Sequence, residues 1–316
     1  MAENVLISIC IPAYKNSEFL KRLLDSVAIQ TFKDFEVIIS DDSPDNQIRS
    51  LADNYSSQFR IEYFRNEPPK GTPENWNLSV QKARGEWIKI MHDDDWFLNE
   101  QSLERFANAA KQHEGIEFLF SAYQNISLKD RKRQSKYAGR FWLRMLNKNP
   151  ASLFARNIIG PPSVTMHRAG KNIYYDKQLK WVVDIDFYIR WLARTKPLYI
   201  HEPLINVGIS DQQVTMDCFR RRPIEIPENF YLLDRVGRKN LRNILIYDAW
   251  WRLMRNLEIK DPGEIREAGY SGEIGSVIHS MILWQSRLPA SLLKVGVFSK
   301  CIMFFHYIVN YGKIQR

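Results

Sequence analysis

Residues 5 to 14 read VLISICIPAY, and this stretch decides how the first half of the chain folds. The run from Val5 to Ile11 is almost continuously apolar, which is typical of a strand buried on both faces of a parallel sheet. Pro12 is expected to end this strand. Apolar residues then recur at helical spacing from Ser17, the expected N-cap, to Ala28, and a second apolar run covers Phe35 to Ser40. The order of strand, helix and strand predicts a βαβ unit.

The same alternation continues along the chain. Further elements are expected as a helix after Pro44, a strand at Ile61–Phe64, a helix at Pro73–Ala83, and strands at Trp87–Met91 and Ile116–Ser121. This order predicts an α/β fold with a doubly wound, mostly parallel sheet. From Asn229 to Leu257, and again after Gly275, the pattern is helical. We therefore expect an α/β domain over residues 1–216 and a mostly helical C-terminal extension over residues 217–316.

The composition is that of a folded protein rather than a disordered one. Of 316 residues, 45% are hydrophobic and 26% are charged. Cys10, Cys218 and Cys301 are far apart, so neither a disulfide framework nor a zinc site is predicted. The N-terminus does not resemble a secretory signal. We therefore expect a cytoplasmic protein.

The positive charge is concentrated in the last third of the chain. Residues 217–316 contain 16 basic and 10 acidic side chains, against 29 and 26 in residues 1–216. This balance favours an anionic partner, which could be a phosphorylated substrate, a membrane surface or nucleic acid. The sequence contains no recognisable nucleic-acid-binding module, so nucleic acid is not expected.

Two acidic clusters follow predicted strands. Asp41 and Asp42 come directly after the strand that ends at Ser40, and Asp93, Asp94 and Asp95 come after the strand that begins at Trp87. In parallel sheets, ligands bind beyond the carboxyl ends of the strands. Neighbouring carboxylates repel one another, so a group of three usually needs solvent, hydrogen-bond donors or a cation. The simpler alternatives are a turn for the first cluster and a helix cap for the second.

The sequence has no glycine-rich phosphate loop. Neither G-x-x-x-x-G-K-[ST] nor G-x-G-x-x-G occurs, which argues against P-loop NTPases and dinucleotide-dependent dehydrogenases. A nucleotide diphosphate would then be held through Mn²⁺ or Mg²⁺ bound by carboxylates. The acidic clusters therefore predict a divalent-cation site.

Several segments together resemble glycosyltransferase family 2, whose members have the GT-A fold. The matching segments are Ile11–Tyr14, Ser26–Thr31, Val37–Ser43, Asn75–Asn77, Gly85–Ile88 and His92–Trp96. The resemblance covers residues 5 to about 216, and the order of the motifs makes it more specific than any one of them.

The resemblance implies a nucleotide-sugar donor, most commonly a UDP-sugar. It places Asp42 near the base, Asp93 near the ribose and Asp94 as the principal metal ligand. The full set of donor-binding residues that it implies is Pro12, Ala13, Tyr14, Asp41, Asp42, Asn77, Asp93 and Asp95. His92 stands where many members have the first aspartate of the metal motif, so the metal set is expected to depend on Asp94 and Asp95.

Val183–Phe187 resembles the family's Glu-Asp motif, which opens a helix and supplies the catalytic base. Valine replaces the glutamate here. Because a sugar hydroxyl is a poor nucleophile, a carboxylate must accept its proton. Asp184 is the first candidate and Asp186 the second. The alternative is an acidic first helical turn favoured by the helix dipole. Gln212–Thr215 also looks like a family feature, without the histidine that often precedes it.

The implied activity is inverting transfer of a sugar to a hydroxyl of a saccharide or lipid-linked acceptor in polysaccharide biosynthesis. Two alternatives stay open at this point. A nucleotidyltransferase shares parallel sheets and acidic metal sites, but normally has a glycine- and arginine-rich loop after the first strand, where this chain has Pro12–Lys15. A non-catalytic nucleotide-sugar-binding protein would bind the donor without turning it over.

The C-terminal segment, residues 274–316, combines basic and aromatic residues and contains no acidic residue. Its apolar run from Cys301 to Val309 is much shorter than the roughly 20 residues that span a bilayer. One hypothesis is a helix that lies on the inner face of an anionic membrane. The alternative is a helix docked on the protein core or on a second subunit.

Overall fold

The structure is a computed structural model that describes residues 5–210 and 218–314. The chain divides into two compact units. The first consists of Met1–Lys148, Ile158–Gln178 and Asp186–Gln212, and the second of Asn149–Asn157, Leu179–Ile185 and Gln213–Arg316. The predicted boundary between residues 216 and 217 stays a prediction, because residues 211–217 lie outside the described ranges.

The first unit is built on a sheet that comprises nine strands within the described ranges. These strands are β1 (Ile7–Ala13), β2 (Phe35–Asp41), β3 (Ile61–Arg65), β4 (Trp87–Ile90), β5 (Trp96–Phe97), β6 (Phe118–Ser127), β7 (Arg133–Lys136), β8 (Thr165–Arg168) and β9 (Leu198–Ile209). Their order is β3-β2-β1-β4-β8-β6-β9-β5, with β7 beside β6. The α/β architecture predicted from the sequence is confirmed.

Strand direction differs between the two halves of the sheet. The strands β3, β2, β1 and β4 run parallel, as the βαβ pattern predicts. Beyond β4 the sheet is mixed: β8 is antiparallel to both β4 and β6, and β9 is parallel to β6. The parallel half carries the sequence motifs, so these meet at one edge of the sheet.

The first strand extends two residues further than the sequence predicted. Pro12 does not end β1, which continues to Ala13. The pairing of β1 with β4 ends at Cys10 and Ile90, so at Pro12 only β2 is hydrogen-bonded to β1. Since the missing N–H of Pro12 lies on the side where pairing has already ended, proline costs the sheet no hydrogen bond.

Helices connect these strands. They are α1 (Ser17–Ala28), α2 (Gln47–Asp53), α3 (Glu74–Lys82), α4 (Ser102–Gln112), α5 (Arg140–Lys148) and α6 (Val183–Leu192). The expectation that Ser17 caps α1 is wrong by one residue. The cap is Asn16, whose side-chain oxygen accepts a hydrogen bond from the Phe19 amide at 3.0 Å.

The second unit is helical. Its helices are α7 (Arg222–Val236), α8 (Ile244–Asn256), α9 (Gly263–Glu267), α10 (Ser276–Ser286), α11 (Ala290–Lys294) and α12 (Gly296–Asn310). A separate hydrophobic core joins them, centred on Phe230, Trp250, Trp251 and Met281. The expected C-terminal helical region is therefore present. Among the described residues, no helix is long and apolar enough to cross a membrane.

His306 of α12 is completely buried in this core. Its Nδ1 lies 2.8 Å from the Tyr247 hydroxyl and its Nε2 lies 2.9 Å from Ser280 Oγ. Burial lowers the pKa of His306 to about 4, because a charged imidazole would lose its water. The side chain is therefore held neutral and joins three helices through polar contacts.

This burial predicts acid sensitivity. The unfolded chain binds a proton at His306 near its ordinary pKa of 6.5, whereas the folded chain resists protonation until about pH 4. The contribution of His306 to the free energy of unfolding is therefore complete above pH 6.5. It is lost as the pH falls towards 4, and a full shift of this size corresponds to about 3 kcal/mol.

We expect the free energy of unfolding, measured by urea denaturation between pH 7.5 and 4, to fall less steeply in His306→Gln than in the wild type. His113→Gln is the matched control, since His113 is exposed. Identical pH profiles for His306→Gln and the wild type would contradict this account.

Candidate functional site

The candidate site lies at the carboxyl ends of β2, β1 and β4. These three strands are adjacent and parallel, so the residues that follow them share one edge of the sheet. Ala13 at the end of β1 pairs with Asp41 at the end of β2. Residues 92–95 directly follow β4 and Met91. The structure thus places both acidic clusters on one rim of the first unit.

Asp41 and Asp42 are buried, and their carboxylates bind the chain itself. Asp41 accepts hydrogen bonds from the Ser43 amide at 2.8 Å and the Tyr63 hydroxyl at 2.7 Å. Asp42 accepts from the amides of Lys70 and Gly71 at 3.0 and 2.7 Å. Asp42 therefore fixes the 70–71 turn at the rim, while Asp41 fixes the end of β2.

Asn66 and Ala13 connect this region to β1. The Asn66 side chain donates to Asp42 Oδ1 at 2.9 Å, and the Ala13 carbonyl accepts from the Asp42 amide at 3.1 Å. Pro12 and Ala13 are buried, whereas Tyr14 is 53% exposed. Of these predicted donor-binding residues, Tyr14 is the one that presents its side chain at the rim.

The side chain of Asn77 in α3 binds the backbone of Tyr175. Its amide group donates to the Tyr175 carbonyl and accepts from the Tyr175 amide, both at 2.8 Å. The neighbouring Trp76 ring packs against His92 and Tyr175, with centroid distances of 4.5 and 5.1 Å. Asn77 is therefore bound to the backbone of the first unit, and Trp76 supports the acidic cluster.

His92, Asp94 and Asp95 form a tight group after β4. One potential ligand atom from each lies within 4.8 Å of the others. Asp93 points to β1 instead, where its Oδ2 accepts from the Tyr14 amide at 3.4 Å. The cluster thus separates into a three-residue donor set and a fourth carboxylate that faces Tyr14.

The electrostatics of this group favour a cation. Burial and the charge of Asp94 raise the pKa of Asp93 to about 7, and the same two causes raise the pKa of Asp95. Burial lowers the pKa of His92, so its imidazole is held in the neutral form that binds metals. Its Nε2 is buried without a hydrogen-bond partner among the described residues. One imidazole and two carboxylates are a donor set that suits Mn²⁺.

Contacts from distant parts of the chain hold the cluster in place. Gly208 of β9 donates its amide to Asp95 Oδ1 at 3.1 Å, and Arg22 of α1 donates to the Asp94 carbonyl at 3.0 Å. Ser163 Oγ accepts from the His92 amide at 2.9 Å. The Arg22 guanidinium also stacks over Trp96, 3.9 Å from the ring centroid. These contacts fix the cluster before any ligand arrives.

Comparison with known proteins identifies the family. Residues 8–179, more than half of the chain, match the model of Glycosyl transferase family 2. The chain belongs to this family. The family predicted from the motifs is therefore confirmed, and the acidic cluster lies in the segment that the family model covers.

Solved structures show the same fold. TarS 1-349 of S. aureus in complex with UDP-GlcNAc aligns over 92% of both chains with a TM-score of 0.61 and 14% identity. The mannosyltransferase PcManGT of Pyrobaculum calidifontis, in complex with GDP-Man and Mn²⁺, aligns over 98% of this chain and 87% of its own with a TM-score of 0.55 and 14% identity. The GT-A fold is thus confirmed.

Curated relatives match parts of the chain. A Campylobacter jejuni GalNAc(5)-diNAcBac-PP-undecaprenol beta-1,3-glucosyltransferase is 26% identical over 62% of both chains. The alignments cover between 24% and 72% of the relatives' own lengths.

Asp184 and Asp186, which resemble the family's Glu-Asp motif, lie on opposite sides of α6. Asp186 is completely buried and forms a 2.8 Å ion pair with Arg190 in the first unit. Asp184 belongs to the second unit and is partly exposed; it accepts from Asn157 Nδ2 at 3.0 Å. Burial raises the pKa of Asp184 to about 6. The predicted Gln212–Thr215 feature lies outside the described residues.

Arg22, Ser163 and Gly208 were not identified from the sequence. Arg22 and Ser163 carry no motif signal, because their relation to the cluster arises from contacts between residues some 70 positions apart. Gly208 did carry one, since an isolated glycine in a strand often marks a close backbone approach. A Cβ atom at Gly208 would overlap the carbonyl oxygen of Asp94.

This close approach predicts that Gly208→Ala displaces the cluster. The overlapping atom is backbone, so β9 or the 92–95 segment must shift, and we expect the free energy of unfolding to fall by about 1–3 kcal/mol. Gly139→Ala is the matched control, because a Cβ there meets nothing within 4 Å. Urea denaturation measures both variants. Equal stability of Gly208→Ala and Gly139→Ala would show that β9 or residues 92–95 can shift without lowering the free energy of unfolding.

Proposed function

We propose that this protein transfers a sugar from a nucleotide-diphosphate sugar to a hydroxyl of a saccharide or lipid-linked acceptor, with inversion at the anomeric carbon, in polysaccharide biosynthesis. The observation that carries the proposal is the cluster of His92, Asp94 and Asp95 at the carboxyl end of a central parallel strand. Its position beside Asp93 and Tyr14 suits a nucleotide diphosphate, and family membership supports sugar transfer.

The proposal includes a Mn²⁺ or Mg²⁺ ion held by Asp94, with His92 and Asp95 as further ligands. His92 Nε2 is buried and has no hydrogen-bond partner within residues 5–210 and 218–314, which supports this assignment, as do the raised pKa values of its acidic neighbours. Such an ion neutralises negative charge on the diphosphate leaving group. An imidazole among the ligands favours Mn²⁺ over Mg²⁺, because magnesium prefers oxygen ligands.

The donor is proposed to be a UDP-sugar. Support comes from TarS, whose structure contains UDP-GlcNAc. The Tyr14 backbone amide donates to the Asp93 carboxylate at the rim, and the Tyr14 side chain is 53% exposed, so both residues are proposed to contact the base and ribose. Asp42 and Asn77 act indirectly, because their polar atoms hold residues 70–71 and Tyr175 in place.

A lipid-linked acceptor is supported by the Campylobacter jejuni relative, whose name includes a polyprenyl-diphosphate acceptor. We base only the acceptor class on this relative, which is 26% identical, and neither the sugar nor the linkage. The acceptor class is therefore proposed as a hydroxyl-bearing saccharide, free or attached to a lipid.

Asp184 is proposed as the general base. Its side chain is partly exposed, and its pKa of about 6 is close to neutral pH, where an ionised carboxylate accepts a proton most effectively. The Asn157 amide holds one carboxylate oxygen at 3.0 Å and so fixes its orientation. Asp186 is the weaker candidate, because it is buried and paired with Arg190.

The metal assignment predicts that Asp94→Asn weakens Mn²⁺ binding. Removal of one carboxylate charge should lower the affinity at least about tenfold, measured by the loss of the free Mn²⁺ signal in electron paramagnetic resonance. Turnover with a UDP-sugar should also be lost in this variant and in excess chelator. Asp130→Asn is the control, since Asp130 is an exposed aspartate on the β6–β7 hairpin. Undiminished Mn²⁺ binding in Asp94→Asn would exclude Asp94 as a ligand.

The base assignment predicts opposite outcomes for two neighbouring substitutions. Asp184→Asn keeps the size of the side chain but removes proton acceptance, so turnover should fall by about 10² to 10⁴ while donor binding is retained. Asp186→Asn breaks the ion pair with Arg190, so it should lower the thermal unfolding midpoint while the folded enzyme stays active.

The pH profile and the product test the same assignment. Turnover should fall about tenfold per pH unit below pH 6, as Asp184 becomes protonated. Single displacement requires inverted anomeric configuration, which NMR of the product reads directly. If Asp186→Asn loses turnover and Asp184→Asn keeps it, the base is Asp186; if neither variant loses turnover, the mechanism is not carboxylate-assisted displacement.

A further inference from the structure

The C-terminal helix α12 buries mostly polar side chains and exposes apolar ones, whereas a surface helix usually buries its apolar face. The side chains that it buries in the second unit are Ser299, Met303, His306 and Asn310, and three of these four are polar. Most of their polar atoms have partners inside the core: Ser299 accepts from Trp251 Nε1 at 3.1 Å, and Asn310 Nδ2 donates to the His306 carbonyl at 3.0 Å. Asn310 Oδ1 is buried and has no hydrogen-bond partner among the described residues. The helix is therefore docked by its polar face.

The opposite face of α12 is apolar and exposed. It consists of Val297, Phe298, Phe304, Phe305, Ile308 and Val309, each at least 41% exposed, with Val297 at 76%. We call this set the apolar face. At about 100° per residue, these positions lie in one stripe along the helix. Scattered exposed hydrophobic residues are normal, but a contiguous group on one docked helix indicates an interaction surface.

The charged residues in the sequence segment that contains the apolar face are all basic. Arg287, Lys294, Lys300 and Lys313 are exposed, and the sequence from residue 274 to residue 316 contains no acidic residue. A surface that combines aromatic and aliphatic side chains with lysines is complementary to an anionic lipid surface. Two copies packed through this face would instead bring their lysines together, which is unfavourable.

We propose that the apolar face of α12 inserts into the interfacial region of an anionic lipid bilayer, with the surrounding lysines bound to headgroups. This inference goes beyond the proposed transfer reaction and does not rest on it, because every residue involved belongs to the second unit. It also combines the two hypotheses drawn from the sequence, since the helix is docked on the core through one face and presents the other to the lipid.

Cys301 allows a direct test without substitution in the apolar face. It is exposed on this side of α12, whereas Cys10 and Cys218 are buried, so a thiol-reactive dye will label the native protein at Cys301. With a polarity-sensitive dye, we expect a blue shift on addition of phosphatidylcholine vesicles that contain phosphatidylglycerol. Phosphatidylcholine vesicles alone should give little shift. The control is Cys301→Ser with Ile29→Cys, since Ile29 is an exposed residue of the first unit.

Vesicle flotation then identifies the contributing residues. Phe304→Gln, Phe305→Gln and Ile308→Gln combined should reduce the vesicle-bound fraction at least about tenfold. Ile29→Gln with Phe141→Gln is the matched control, because both side chains are more than half exposed elsewhere. Lys294→Gln, Lys300→Gln and Lys313→Gln should each weaken binding about fivefold at low salt. Lys33→Gln, Lys111→Gln and Lys177→Gln should not.

The outcomes separate this inference from its competitors. Unchanged thermal unfolding midpoints show that the variants are folded. No dye shift at Cys301, or flotation of the apolar-face variant equal to the wild type, overturns the inference. A wild-type dimer that dissociates in the apolar-face variant, without vesicle binding, assigns the face to a second copy. Hydrolysis of a UDP-sugar without vesicles tests the proposed function independently, because these variants leave residues 92–95 unchanged.

Discussion

The structure of the first unit depends on the parallel pairing of β1 with β2 on one side and β4 on the other. Every residue of these three strands is buried, so their polar backbone groups must pair with one another. Gly85 makes this pairing feasible at the start of β4, where its amide donates to Ser8 Oγ and a Cβ would collide with the backbone of β1. Once the strands are parallel, the motifs that follow them meet at a single rim.

The buried carboxylates of this protein fall into two groups with different roles. Asp41, Asp42 and Glu228 accept hydrogen bonds from residues far away in the sequence. Asp186 forms an ion pair with Arg190 within α6. Asp93, Asp95 and Asp184 have raised pKa values because burial disfavours their charge. Burial also raises the pKa of Glu228, where hydrogen bonds from three backbone amides act in the opposite direction. Groups held against their preferred charge state are common at functional sites, since a ligand or a proton transfer can relieve the penalty.

In the second unit, the side chains of α12 that stabilise the core also differ from those that it exposes. Its core accepts Ser299 and His306 because neighbouring helices supply partners for these polar side chains, whereas Asn310 donates to the His306 carbonyl within α12. Met303 of α12 is buried in this core, whereas the six side chains of the apolar face are exposed, so packing within the core does not account for them. A helix whose apolar side faces outward gains free energy only when another apolar phase covers it. The membrane contact that we propose for α12 would cover this face.

The sequence by itself determined the α/β class, the strands of the parallel half, the family and the position of the acidic clusters. These follow from local patterns: continuous apolar runs, helical periodicity and motifs placed after strands. It could not show that β8 enters the sheet antiparallel, that β1 continues through Pro12, or that Arg22 and Ser163 contact the acidic segment 92–95. Nor could it show which face of α12 is buried in the core. Apolar periodicity identifies the apolar face of a helix, but it does not identify the surface that packs against that face. Only the tertiary structure decided these points, since each depends on contacts between segments whose separation along the chain leaves no local signal.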